Sequence, residues 1–120
     1  MTFDISGEQV RLGPTVESTL LRISGEAISN AVRHSAARRI HLDLVFGAEQ
    51  VVLRVSDDGC GFDRSGAAPG DHHYGLTTMR ERAEELDGSL TVTSSAGGGT
   101  AIEATVPRAG EIRNRLPAAI

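Results

Sequence analysis

The sequence predicts an α+β protein: a two-layer α/β sandwich whose mixed, largely antiparallel sheet is covered on one face by helices. Three observations predict it. A long apolar period of three- and four-residue steps begins at Pro14. Two pairs of alternating segments are each joined by a short turn. A shorter helical period lies between those pairs.

The elements follow in order. "MTFDISGEQVRLGP" reads as a short strand, a turn at Ser6-Gly7 and a second short extended piece. From Pro14, Val16, Leu20, Ile23, Ala27 and Ala31 recur on one stripe, which predicts a helix of about five turns. Pro14 suits the first turn, where its missing N–H is harmless. "RIHLDLVFG" alternates Ile40, Leu42, Leu44 and Phe46 with His41, Asp43 and Val45, and "VVLRVSDDG" returns beside it as a hairpin. Residues 59–74 carry no period and read as a long functional loop. "GLTTMRERAEELDG" is a second helix, with Leu76, Met79, Ala83 and Leu86 on its stripe and Gly88 as its stop. "SLTVTSS" and "TAIEATVP" form a closing hairpin. The expected order is β-β-α-β-β-α-β-β, with one domain over residues 1–107 and a flexible tail over residues 108–120.

Composition narrows the function. The 120 residues carry a net charge of −4, which argues against nucleic acid and against an anionic membrane surface. All twelve basic residues are arginine, so a Walker-type phosphate loop and Schiff-base chemistry are excluded. Cys60 is the single cysteine, which rules out an intrachain disulfide and fits a reducing cytoplasm. No apolar run approaches the roughly 18 residues of a membrane span. The lysine-free, Arg-, Ala- and Gly-rich composition points to a GC-rich bacterial genome.

Two stretches carry chemistry. In "GEAISNAVRHS", residues four apart stand about 40° apart around a helix, one turn up. Glu26, Asn30 and His34 therefore form a ladder along one edge, with Arg33 beside it. A carboxamide oxygen suits Mg²⁺, Arg and His suit phosphate oxygens, and a carboxylate can orient or deprotonate a hydroxyl or water. Together they read as a triphosphate–magnesium site. The same row also fits a solvated face with contacts between successive turns. In "DDGCGFD", a strand ends at Asp57 and two glycines, Gly59 and Gly61, let the backbone approach a ligand. A carboxylate there can accept from the exocyclic amine of adenine; an ordinary Asp-Gly turn fits the residues too. His72, His73 and Cys60 lack a fourth ligand at suitable spacing for a metal centre.

The combination resembles the ATP-binding catalytic domain of sensor histidine kinases, in the superfamily shared with gyrase, MutL and heat-shock chaperones. "EAISNAVRH" is similar to its N-box, "DDGCG" to its G1 box, "YGLTTMRERA" to a shortened G2 box and "GGGTAIEATVP" to its closing strand pair. "GLTTMRERAEELDGSLTVTS" resembles the nitrate-sensor and desaturase-regulator branch, which has a short lid. The resemblance implies ATP and Mg²⁺ as cofactors, Asn30 as the Mg²⁺ ligand, and Arg33 and His34 near the phosphate tail. It implies Glu26 as the polarising carboxylate, Asp57 on the adenine amine, Gly59 and Gly61 as the pocket floor, and Thr100 beside the base. Gly75 and Leu76 would open the second helix toward phosphate, and residues 62–74 would be the ATP lid. Asp58 departs from the family's usual Asn.

The implied function is delivery of the γ-phosphate to a histidine on a dimerisation domain absent from this chain, with a response regulator downstream. This chain alone would then be a monomeric catalytic domain cut from a longer protein, or a stand-alone relative, with little activity by itself. The alternatives are an anti-sigma-factor-type serine kinase and an interaction domain that keeps the fold without catalysis.

Overall fold

The computed structural model describes residues 1–33, 37–60, 75–94 and 97–108. Within them the chain runs β1 (Thr2–Gly7), α1 (Pro14–Arg33), β2 (Ile40–Phe46), β3 (Gln50–Asp57), α2 (Leu76–Glu85), β4 (Ser89–Ser94) and β5 (Thr100–Pro107). The strands form one sheet in the order β1-β2-β3-β5-β4. β1 lies parallel to β2, and every other pairing is antiparallel. The predicted α+β class and both hairpins are present.

The second extended piece expected before α1 is not a strand. Residues 8–13 form no ladder. Because β1 runs parallel to β2, the chain must cross from the end of β1 to the start of α1, and this segment makes the crossing. Its apolar residues still serve the core: Leu12 is buried and Val10 packs against it.

Alternation sets the layers. Ile40, Leu42, Val51, Leu53, Val55, Leu90, Val92, Ile102, Ala104 and Val106 are buried on one face of the sheet. α1 packs over β3 and β5, and α2 over β4 and β5. Ile23, Met79, Val51 and Val106 are the largest fully buried side chains. Each contributes roughly 1.5–3 kcal/mol by leaving water, so aliphatic packing dominates, as the scarcity of aromatics implies.

α2 ends at Glu85, one residue before Leu86, the last of its stripe. Asp87 takes a left-handed conformation with φ 61°. The Gly88 N–H donates to the Ala83 carbonyl at 2.9 Å and the Asp87 N–H to that of Glu84 at 2.9 Å. This pair of bonds satisfies carbonyls that a helix end otherwise leaves open. Gly88 therefore closes the helix as expected, but the left-handed turn falls on Asp87.

Candidate functional site

Strand register brings the first two site residues together. Asp57 and Thr100 are direct cross-strand partners at the ends of β3 and β5. Asp57 lies two residues beyond Val55, and Thr100 two before Ile102, so both share the helix-covered face of the sheet. Thr100 is buried, and its Oγ1 lies 2.9 Å from Ser94 Oγ on β4. Asp57 is half-buried, and its Oδ1 accepts the Gly59 N–H at 2.8 Å, which folds the chain sharply after the strand. Gly59 is buried beneath that turn.

The turn between β4 and β5 closes on the same spot. A Cβ on Gly99 would stand 2.2 Å from the Asp57 carbonyl oxygen, and Gly99 holds φ +83°. Only glycine tolerates both. The Gly97 N–H donates to the Cys60 carbonyl at 2.5 Å. A recess of about 280 Å³ at this end of the sheet is lined by Asp57, Ser94, Gly99 and Thr100 together with Arg54, Ser56, Thr93 and Ala101, and so opens toward the face away from the helices.

Asp58 points elsewhere. Its Oδ1 accepts the backbone N–H groups of Arg39 at 2.8 Å and Arg38 at 2.9 Å. These bonds, the Arg39 one foremost, hold its carboxyl below the usual carboxylate range. The Asp58 N–H donates in turn to the Arg39 carbonyl at 3.2 Å, and the Ala37 N–H to that of Ala31 at 3.0 Å. This chain of bonds ties the end of β3 to the end of α1. At the position of the family's usual Asn, the Asp58 carboxylate thus takes a bracing role.

The tie places the helix ladder at the same end of the molecule as Asp57. On α1, Asn30 is buried with the apolar stripe, and Glu26 one turn earlier is exposed. Glu26 faces the start of α2: a Cβ on Gly75 would stand 2.9 Å from its Cγ and Cδ and 3.0 Å from Oε2. Gly75 caps α2 with φ 75° and no side-chain hydrogen bond, and the first turn from Leu76 holds no acidic residue. α2 thus begins beside Glu26 of α1, with no carboxylate in its own first turn. Arg33 is exposed and reaches Ser29 of its own helix, Nη1 to Oγ at 3.5 Å. His34, Gly61 and the lid residues 62–74 lie outside the described residues.

The structure therefore sets Glu26, one turn before the buried Asn30 on α1, against Gly75 at the start of α2, and separately brings Asp57, Gly59 and Thr100 together at the ends of β3 and β5. Asn30 does not line the recess at Asp57. Sequence reasoning missed the Glu26–Gly75 contact, the Asp58 brace and the Ser94–Thr100 pair. The first two join residues far apart in sequence, and the third depends on the register of the β4–β5 hairpin, so no local spacing signals them. Among the described residues, no helix is long and apolar enough to cross a membrane.

This arrangement has counterparts. Residues 15–110 match the family described as histidine kinase-, DNA gyrase B-, and HSP90-like ATPase. The chain is 37% identical over 101 residues to the signal transduction histidine-protein kinase/phosphatase DegS of Bacillus subtilis, covering 83% of this chain and 26% of that protein. It is 38% identical over 96 residues to the nitrate/nitrite sensor protein NarX of Escherichia coli, covering 79% of this chain and 16% of that protein. Among solved structures, the histidine kinase domain of the Erythrobacter litoralis EL346 blue-light activated histidine kinase superposes with a TM-score of 0.64 at 20% identity. That match covers 92% of this chain and 56% of that one, and it speaks to the fold. The chain thus spans about a quarter or less of the length of these two curated relatives. It belongs to the histidine kinase-, DNA gyrase B- and HSP90-like ATPase family and carries its ATP-binding fold.

Proposed function

We propose that this chain binds ATP with Mg²⁺ between α1, the start of α2 and the end of β3. In its intact protein, a sensor histidine kinase, it presents the γ-phosphate to a histidine of a separate dimerisation domain. The observation that carries this reading is the convergence at one end of the fold. The registered pair Asp57 and Thr100 faces the helix layer, where α1 ends beyond the buried carboxamide of Asn30 and α2 begins without a first-turn acid.

The donor set fits the proposed ligands. Asp57 accepts the adenine amine and Thr100 borders the base. Gly59 and Gly61 leave room for the ring. The Gly75–Leu76 end of α2 offers amide donors and a positive dipole end to phosphate. Asn30 offers a neutral oxygen to Mg²⁺, and Arg33 and His34 supply charge to the phosphate tail. The metal ion neutralises phosphate charge when bound. Glu26, against Gly75, orients the attacking group. In the transfer itself the histidine nitrogen attacks the γ-phosphorus, the bond to the β,γ-bridging oxygen breaks, and ADP leaves with that electron pair. A response regulator is the expected downstream acceptor.

The test is a calorimetric titration with a nonhydrolysable ATP analogue, with and without Mg²⁺. Saturable binding that weakens without the metal is the expected result. No binding under either condition overturns the reading.

A further inference from the structure

The face of the sheet opposite the helices carries a second constellation. The parallel pairing of β1 and β2 sets Thr2 beside His41 and Asp4 beside Asp43. These four alternate with Phe3, Leu42 and Leu44, which belong to the helix-covered side, so they share the open face. His41 Nε2 lies 3.0 Å from Asp43 Oδ1 and 3.3 Å from Asp4 Oδ2. The three candidate donor atoms all lie within 4.8 Å of one another. On the far side of the ring, Nδ1 lies 2.5 Å from Thr2 Oγ1.

We propose that Asp4, His41 and Asp43 bind one divalent transition-metal ion of the zinc or nickel type, clamping the edge strand β1 to β2. Two carboxylate oxygens converge on one ring nitrogen. That nitrogen has a single in-plane direction, so one N–H serves only one of them well. An ion meets all three. Bonds of about 2.1 Å put neighbouring ligand atoms about 3.0 Å apart in an octahedron and about 3.4 Å apart in a tetrahedron. The 3.0 Å and 3.3 Å from Nε2 fall at these spacings, and the two carboxylate oxygens lie within 4.8 Å of each other. Two carboxylates and a neutral imidazole cancel the charge of a divalent ion. In the tautomer whose Nδ1–H donates to Thr2 Oγ1, the one a bound ion selects, the lone pair of Nε2 turns toward the ion, the outer-shell arrangement that orients metal-binding histidines. An imidazole donor favours zinc, nickel or copper over Mg²⁺. The nearest cation across the register, Arg54 beside Asp43, reaches Glu103 instead, Nη1 to Oε2 at 3.5 Å. Such an ion would stabilise β1, all six residues of which are exposed. The site is independent of the nucleotide reading and stands or falls without it.

The test uses metal-free protein without nucleotide, titrated by calorimetry with zinc chloride and separately with nickel chloride, with melting temperature followed alongside. The expected result is one ion per chain and a rising melting temperature, with no response to magnesium chloride. His41→Ala and Asp4→Asn should each weaken binding by about tenfold or more. Asp4→Asn alters an exposed, isosteric group, so it remains informative if His41→Ala fails to fold. Equal affinity in the parent and Asp4→Asn would overturn the proposal. So would binding that disappears on His72→Ala/His73→Ala substitution while His41→Ala retains it.

Discussion

Two neighbouring carboxylates at the end of β3 do different work because their oxygens meet different partners. Asp57 turns its own strand end through the Gly59 N–H, while Asp58 braces the residues after α1. The Asp58 carboxyl is held below the usual range, so the folded state favours its charged form. That contribution is present above the ordinary carboxylate pKa and is lost as pH falls through the lowered value, below about pH 4. Asp58→Asn keeps an acceptor oxygen and removes the titration. Urea midpoints measured from pH 6 down to pH 3 should therefore fall less steeply for this variant than for the parent. Asp57→Ala and Asn30→Ala should stay folded yet lose the stabilisation that nucleotide gives. At a hundredfold excess over Kd the parent gains about 2.7 kcal/mol; each variant should gain close to none in a melting experiment with ATP analogue and Mg²⁺.

At the scale of the element, the first turn of α2 holds no acidic residue of its own, and Glu26 of α1 is the carboxylate set beside its cap. That turn holds Leu76, Thr77 and Thr78, with no side-chain cap on Gly75. A carboxylate there stabilises a helix by about 0.3–1 kcal/mol. Thr78→Glu should accordingly raise the stability of the free protein by about 0.5 kcal/mol and weaken nucleotide binding, because the new charge repels phosphate. An unfolding curve and an ATP-analogue titration on the same sample read the two opposite signs. The β4–β5 turn is the second such element. Gly99→Ala brings a methyl group against the Asp57 carbonyl at a positive φ. It should cost more than the 1–2 kcal/mol of a left-handed residue alone, seen as a lower urea midpoint, and should displace Asp57 and Thr100 together.

At the scale of the whole molecule, the proposed transfer needs a second part. The chain's relatives are several times longer, and the acceptor histidine is proposed to lie on another domain. Supplied with a helical dimerisation domain carrying that histidine, the protein should label it from ATP in an acid-labile form. An acid-stable phosphoserine product would point instead to a partner-directed serine kinase. Without an acceptor, turnover should be slow, because positioning accounts for much of phosphoryl transfer and a free acceptor is not positioned.

Local physics was legible from the sequence alone. The apolar stripe from Val16 to Ala31 had to bury one side of a helix. The alternation in residues 40–46, 50–57 and 100–107 had to make strands with one covered face, and Asp57 with its glycines had to end one of them. The parallel seat of β1 was not legible, since a six-residue edge strand pairs equally well in either direction until the crossover through α1 decides. Nor were the Asp58 brace, the fit of Gly75 against Glu26, or the meeting of His41 with Asp4 and Asp43. The sequence by itself determined which residue types stood on which face of each helix and strand. Only the tertiary structure decided which faces met, because hydrogen bonds and packing between distant segments depend on the sheet order and register, which no local spacing encodes.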